Sequence, residues 1–152
     1  MDLHAICVFH NDSPKGFIKL TQKHNSNFTK IHIKLKGLTG THAIHIHEFG
    51  DLTKGCSSSC GHYNPHNKNH GGPNDKDRHV GDLGNITFNK NKECDIVIND
   101  KLVKLKGKYS VIGRAFVIHQ KEDDLGKGDN KESLVTGNAG KRIACGIIGI
   151  TS

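Results

Sequence analysis

Two histidines one residue apart, His45-Ile46-His47, can act together only on an extended backbone. On a strand, positions i and i+2 share a face, so both imidazoles point one way while Ile44 and Ile46 fill the other. On a helix the same pair would diverge by about 200°. This pair therefore forms one rigid half of a metal site. Further along, His62, His70, His79 and Asp82 supply three imidazoles and a carboxylate, the donor set and count of structural zinc. His79-Val80-Gly81-Asp82 runs directly into a strand-like segment, which anchors the last two donors. His119 ends the apolar run Ala115-Phe116-Val117-Ile118 and can reach the outer face of His45 and His47 from a neighbouring strand. Four neutral imidazoles suit copper, which tops the divalent affinity series and cycles between two oxidation states. His45, His47, His62 and His119 make one set of four; His62, His70, His79 and Asp82 make another. Both are complete only if His62 serves twice, as an imidazolate joining two metals.

These residues need a scaffold. The chain has 152 residues, of which 34% are hydrophobic and 5% aromatic, with 18 Gly and no Trp. Eight segments alternate apolar and polar residues: 3–9, 16–20, 28–35, 43–47, 83–88, 94–98, 114–119 and 143–150. Their β-branched content and the turn signals between them predict an eight-stranded antiparallel sandwich or flattened barrel. Two long stretches, near 49–82 and 120–142, lack that pattern; loops of such length are functional or disordered, and a metal would order them.

The formal charge is +7, from 22 Lys+Arg against 15 Asp+Glu. The basic residues look scattered, and two Tyr with no Trp leave little for base stacking, so no nucleic-acid partner is expected. Seven of the 12 histidines (His42, His45, His47, His62, His66, His70, His79) lie close together in sequence. His66 breaks the donor spacing and reads as solvent-exposed; His4, His10, His24 and His32 read as surface residues, and His42 as structural. The opening Met1-Asp2-Leu3-His4-Ala5 has neither the basic nor the apolar part of a signal peptide, so a cytoplasmic location is expected. No apolar run approaches the ~18 residues of a membrane span, and no membrane partner is expected. Five cysteines are an odd number, so at least one thiol stays free if the rest pair. Cys7 and Cys94 alternate into strands as small buried hydrophobes.

A series of blocks in fixed order sharpens this reading. They are 45–51 (HIHEFGD), 61–65 (GHYNP), 70–73 (HGGP), 78–85 (RHVGDLGN), 123–128 (DDLGKG), 137–140 (GNAG) and 142–150 (RIACGIIGI). Along essentially its whole length the chain resembles a copper–zinc superoxide dismutase. The resemblance implies a Greek-key flattened barrel, or immunoglobulin-like sandwich, as one domain over 1–152. Its two functional loops would be a metal and disulfide loop at about 49–82 and an electrostatic loop at about 120–142. It implies copper at His45, His47, His62 and His119, zinc at His62, His70, His79 and Asp82, and His62 as their bridge and proton carrier.

The same resemblance makes Asp123 a carboxylate linking His45 and His70, although beside Asp124 it reads on its own as a solvated loop acid. Arg142, alone a surface charge before a strand, becomes the channel arginine, and Thr136 faces it across the mouth. Cys56 would pair with Cys145, closing a loop of about 90 residues worth roughly 4–5 kcal/mol. Cys60 departs from the family pattern and could compete by thiol exchange. Lys131 adds a positive charge at the approach and Val135 removes one. Ala43 replaces a usual Gly, with mild strain expected. Sequons begin at Asn11, Asn27 and Asn85. The implied activity is disproportionation of superoxide to dioxygen and hydrogen peroxide by alternating reduction and reoxidation of one copper beside one zinc per subunit. The implied partners are a second copy, through Phe49, Gly50, Leu52, Gly113 and Ile150, and a copper chaperone for metal loading and disulfide formation. The alternative is a copper/zinc-binding protein without turnover; such relatives usually lack a copper ligand, the arginine or the zinc loop, and all are present here.

Overall fold

The structure is a computed structural model describing residues 1–152. Alternation turns directly into strands. In β3 (Thr29–Lys36), Ile31, Ile33 and Leu35 face inward while Lys30, His32, Lys34 and Lys36 face out. The same rule forms β1 (Leu3–Phe9), β2 (Lys15–Gln22) and β7 (Glu93–Asp100). The second sheet takes β4 (Gly40–His47), β6 (Asp82–Phe88), β8 (Ala115–His119) and β9 (Arg142–Ile147). Two short strands complete the set, β5 (Thr53–Cys56) and β10 (Gly149–Thr151).

The sheets run β10-β1-β2-β3-β7 and β6-β4-β8-β9, antiparallel throughout. The chain changes sheet between β3 and β4, between β6 and β7, and between β7 and β8, which gives the expected Greek-key sandwich. The sheets are not joined into a closed barrel. The last segment, read as one strand over 143–150, divides at Ile148. That side chain is fully buried, and the strands on either side of it belong to different sheets. A single core cluster of 23 buried residues joins both sheets.

Neither long loop is structureless. The first contains β5 and a 3₁₀ turn at Ser57–Ser59, and Cys56–Cys145 ties it to β9. The second contains a 3₁₀ turn at Lys131–Leu134, capped by Asn130 accepting from the Ser133 amide. Asp124 anchors that turn, accepting from Ser133 Oγ at 2.7 Å and from Asn138 Nδ2 at 2.7 Å.

Candidate metal centre

β4 places His45 and His47 on its outer face, opposite Ile44 and Ile46, as the spacing requires. All of Ala43–His47 is nevertheless buried, because the two loops cover that outer face. β8 is buried on both faces for the same reason and ends at His119, whose ring lies 4.8 Å from that of His45. His62 pairs through its backbone with His47, and its ring lies 3.9 Å from His45, 5.1 Å from His70 and 5.2 Å from His79. It stands between two groups of donors. Donor atoms of His45, His47, His62 and His119 lie within 4.8 Å of one another, as do those of His45, His62, His70 and Asp82. His79 joins the second group, with Nδ1 3.1 Å from Asp82 Oδ1 and 3.2 Å from His62 Nδ1. His45 is within reach of both groups, but Asp123 holds its Nε2, so only Nδ1 is left for either.

Most of the ring nitrogens have a defined partner, and His47 Nε2 and His119 Nε2 face each other at 3.4 Å. Asp123 Oδ2 takes His45 Nε2 at 2.7 Å, and Asp123 Oδ1 takes His70 Nε2 at 2.6 Å. The Cys60 carbonyl takes His47 Nδ1 at 2.8 Å, and the Gly140 carbonyl takes His119 Nδ1 at 3.2 Å. Buried His45 Nδ1 and His70 Nδ1 have no hydrogen-bond partner at all. His70 Nδ1 lies 2.9 Å from Asp82 Oδ1 without hydrogen-bond alignment, so the two atoms face a common point rather than each other. Buried polar atoms are rarely left unpaired, and unpaired imidazole nitrogens converging with a carboxylate fit a metal ion. Asp82 keeps its other oxygen busy with the amides of Gly71 and His79.

Burial sets the protonation of these rings. It drives His45 down to about 3, helped by the charge of His62, and His119 down to about 4. His47 falls to about 2, through burial first and His62 second. Neutral imidazoles are the form that binds metals. His70 goes the other way, to about 9, because its hydrogen bond to Asp123 and the close Asp82 carboxylate outweigh burial. Burial would raise Asp123, but His45 and His70 bring it down to about 2; His62, His70 and His79 likewise hold Asp82 far below the usual range.

A cleft of about 570 Å3 opens onto His47, His62 and His119, with Arg142, Thr136, Lys121, Glu132 and Val135 around it. Arg142 Nη1 donates to the Cys56 carbonyl at 2.8 Å and to Ser59 Oγ at 3.3 Å, fixing the guanidinium at its wall. Lys131 is exposed on the 3₁₀ turn but does not line the cleft, whereas Lys121 does, so the approach lysine differs from the one expected. Neither Asp123 nor Asp124 is a solvated acid. Asn85 is hydrogen-bonded to Asp123 both ways and is not an open glycosylation acceptor. Cys7 and Cys94 are buried free thiols, and Cys60 is exposed and free. His66 is exposed and meets the Tyr109 ring edge-on, and His42 meets the carbonyls of His119 and Thr39.

Main-chain partners of the rings, such as the Cys60 and Gly140 carbonyls, escaped the sequence reading because a carbonyl carries no residue signature. Gly137 did have one. Its φ is +70°, and a Cβ there would overlap Asp123 Oδ1 and crowd His70 Nε2.

An antiparallel sandwich that covers six histidines and an aspartate with two loops, one histidine common to two donor groups, defines a metalloprotein with adjoining sites. The family model for copper/zinc superoxide dismutase matches residues 14–148. The chain is 49% identical over 150 residues to "Superoxide dismutase [Cu-Zn] 5" of Dictyostelium discoideum, covering 98% of this chain and 99% of that protein. It is 51% identical over 154 residues to "Extracellular superoxide dismutase [Cu-Zn]" of Brugia pahangi, covering 97% and 76%. A solved structure of the clock protein EA4 superposes with a TM-score of 0.94 at 45% identity, covering 97% of this chain and 94% of that one. The chain belongs to the copper/zinc superoxide dismutase family.

Proposed function

We propose that this chain disproportionates superoxide to dioxygen and hydrogen peroxide and so protects against oxidative stress. The observation that carries the reading is the nitrogen accounting. Outside the site the rings leave two sets of atoms that meet nothing but one another. His45 Nδ1, His47 Nε2, His119 Nε2 and His62 Nε2 serve one ion, with His47 Nε2 and His119 Nε2 3.4 Å apart. His62 Nδ1, His70 Nδ1, His79 Nδ1 and Asp82 Oδ1 serve another, with His62 and His79 Nδ1 3.0 and 3.1 Å from Asp82 Oδ1. His45 Nδ1 and His70 Nδ1 are without any hydrogen-bond partner. Copper in the first set would supply a one-electron acceptor and donor by turns, and zinc in the second would hold the loop without redox change.

The chain's own groups do the rest. Asp123 fixes the tautomer and tilt of His45 and His70 together. His62 turns Nδ1 toward Asp82, so Nε2 is the atom that can hold a proton for the departing peroxide. Arg142, always charged and clamped at the cleft wall, orients a small anion, and Thr136 narrows the mouth beside it. The test is metal content and turnover of the purified chain. About one copper and one zinc per chain with fast superoxide removal is expected; zinc alone with no turnover would sink the reading in favour of a binding protein.

The same reading takes 1–152 as one domain that pairs with a second copy. Phe49 and Ile150 are 48% and 82% exposed, and Gly50 packs directly on the Gly113 carbonyl, which supports an apolar face there. A two-fold dimer is the common closed form for such a patch; sedimentation at several concentrations tests it. A copper chaperone would load the site and close Cys56–Cys145. Cytoplasmic residence completes the reading and is tested by fractionation, since one relative bears the name extracellular.

A further inference from the structure

The charge of +7 is not used up by the cleft. All seven ion pairs involve histidine or Arg78, and no lysine lies within 4.0 Å of a carboxylate. The densest block is residues 101–108, Lys-Leu-Val-Lys-Leu-Lys-Gly-Lys, with four lysines and no acid. Val103 and Leu105 plug the core, which turns Lys101, Lys106 and Lys108 to solvent. The block is pinned to the β2–β3 turn. Thr29 Oγ1 donates to the Val103 carbonyl at 2.6 Å, the Leu105 amide to Gln22 Oε1 at 2.7 Å, and Lys104 Nζ to the Asn27 carbonyl at 2.7 Å. Lys23 and Lys30 flank that turn and join the same end. The nearby acids are Asp100, which is buried and paired with Arg78, Asp2, which accepts from the His24 amide, and two exposed ones outnumbered by the lysines. Of these two, Asp75 shares a cleft with Phe28, Lys101 and Leu102 and accepts from the Gly72 amide, and Glu48 shares one with Lys108 and Tyr109.

Apolar groups interleave with the lysines. Phe28, Leu102 and Tyr109 are each roughly 40% exposed. Lys101 Nζ sits 5.5 Å from the centre of the Phe28 ring, and Lys108 Nζ 5.6 Å from that of Tyr109. We propose that this end of the sandwich docks on an anionic lipid surface. Lysines near such a surface are drawn by its potential, while aromatic and leucine side chains settle at the headgroup level. Nucleic acid fits less well. Its bases stack on ring faces, and here lysines stand over both rings. Its phosphates favour arginine forks, and all three arginines are engaged elsewhere: Arg78 with Asp100, Arg114 with the Ser110 and Glu48 carbonyls, Arg142 with Cys56. Docking needs no spanning segment, and none of these residues lines the Arg142 cleft, which stays open to solution.

The experiment is co-sedimentation of the full metal-loaded chain with vesicles of phosphatidylcholine alone or with phosphatidylserine added. Sedimentation with the serine-containing vesicles only is expected. Lys101→Gln/Lys106→Gln/Lys108→Gln should weaken it on the order of 100-fold, about five-fold per lysine, with metal content and thermal midpoint unchanged. Phe28→Trp gives the chain its only tryptophan, whose emission should shift to the blue on those vesicles. Equal sedimentation with neutral vesicles, none with anionic ones, an unweakened triple variant, or unshifted emission would each overturn the proposal. Tighter binding of a single-stranded oligonucleotide at equal phosphate concentration would overturn it in favour of nucleic acid.

Discussion

Asn85 and Asp123 hold each other twice: Asn85 Nδ2 donates to the Asp123 carbonyl at 3.0 Å, and the Asp123 amide donates to Asn85 Oδ1 at 2.7 Å. Asn85 stands on β6, so this pair fastens the start of the second loop to the sheet. The Asp123 carboxylate then has one position, between His45 and His70. Asn85→Ala would leave two part-buried backbone groups unpaired, costing about 1–3 kcal/mol. Because Asp123 serves a ring in each donor group, both metals should be held 10–100-fold more weakly. Thermal melting and competition with chelators measure this; loss confined to one metal would contradict the link.

Why some of this was legible in the sequence and some was not has a physical basis. His45 and His47 announce themselves because a period of two fixes which face they share, and β8 delivers His119 by the same rule. The double use of His62 follows from counting donors. What sequence hides is anything that depends on a main-chain oxygen or on a loop folding back. The carbonyls of Cys60 and Gly140 orient His47 and His119, yet any residue could supply them. Asn85 looks like a sequon, and Asp123 on its own like a solvated acid, until the loop closes over them. Lys121 enters the cleft and Lys131 does not, because the 3₁₀ turn at Lys131–Leu134 presents Glu132 to the cleft, buries Ser133 and leaves Lys131 exposed. The split between β9 and β10 is invisible to periodicity, since Ile148 keeps the alternation while the chain changes sheets.

Cys60 carries a backbone conformation meant for glycine, with φ 66° and ψ −145°. Such a region costs a residue with a side chain about 1–3 kcal/mol. Here the surroundings impose it: the Cys60 carbonyl must meet His47 Nδ1, and its amide the Ser57 carbonyl. Cys60→Gly should therefore stabilise the chain by about 1 kcal/mol after allowing for the added freedom of the unfolded state, while Cys60→Ala should not. Urea midpoints of the two variants decide it; an equal gain from both would assign the effect to loss of the thiol instead.

The buried rings give the metal-free chain a lopsided pH dependence. His45, His47 and His119 titrate at about 3, about 2 and about 4 when folded, against 6.5 as the ordinary value. Below 6.5 the unfolded chain binds protons that the folded chain refuses, so stability falls as pH drops. His70, raised to about 9, has the opposite sign. Its contribution is complete below 6.5 and is lost as pH rises through about 9. Of the site's rings, His45, His47, His119 and the likewise lowered His62 act on the acid limb and His70 on the alkaline limb, and the lowered Asp82 and Asp123 carboxylates add to the acid limb. Urea unfolding of the metal-free chain should show maximum stability near neutrality with the steeper decline on the acid side; a chain more stable at about pH 5 than at pH 7 would contradict the burial of neutral rings.

Steering is the remaining role for charge at the cleft, where Arg142 and Lys121 attract an anion and Glu132 opposes them. Exposed charges act over a Debye length, about 30 Å at 0.01 M salt and about 8 Å at 0.15 M. Superoxide removal should therefore slow as salt is added across that range. The two flanking residues separate local steering from the general field. Glu132→Gln should speed the low-salt rate and steepen its salt dependence, and Lys121→Gln should do the reverse, each by a few-fold on the order expected for one charge. Both variants change the net charge by one unit, in opposite directions, so a response that tracks position means the cleft does the steering. The same lysine change made at the distant lysine block, Lys106→Gln, should leave the rate nearly unchanged. If Lys106→Gln slows the reaction as much as Lys121→Gln, the attraction comes from the whole +7 and not from the residues at the mouth.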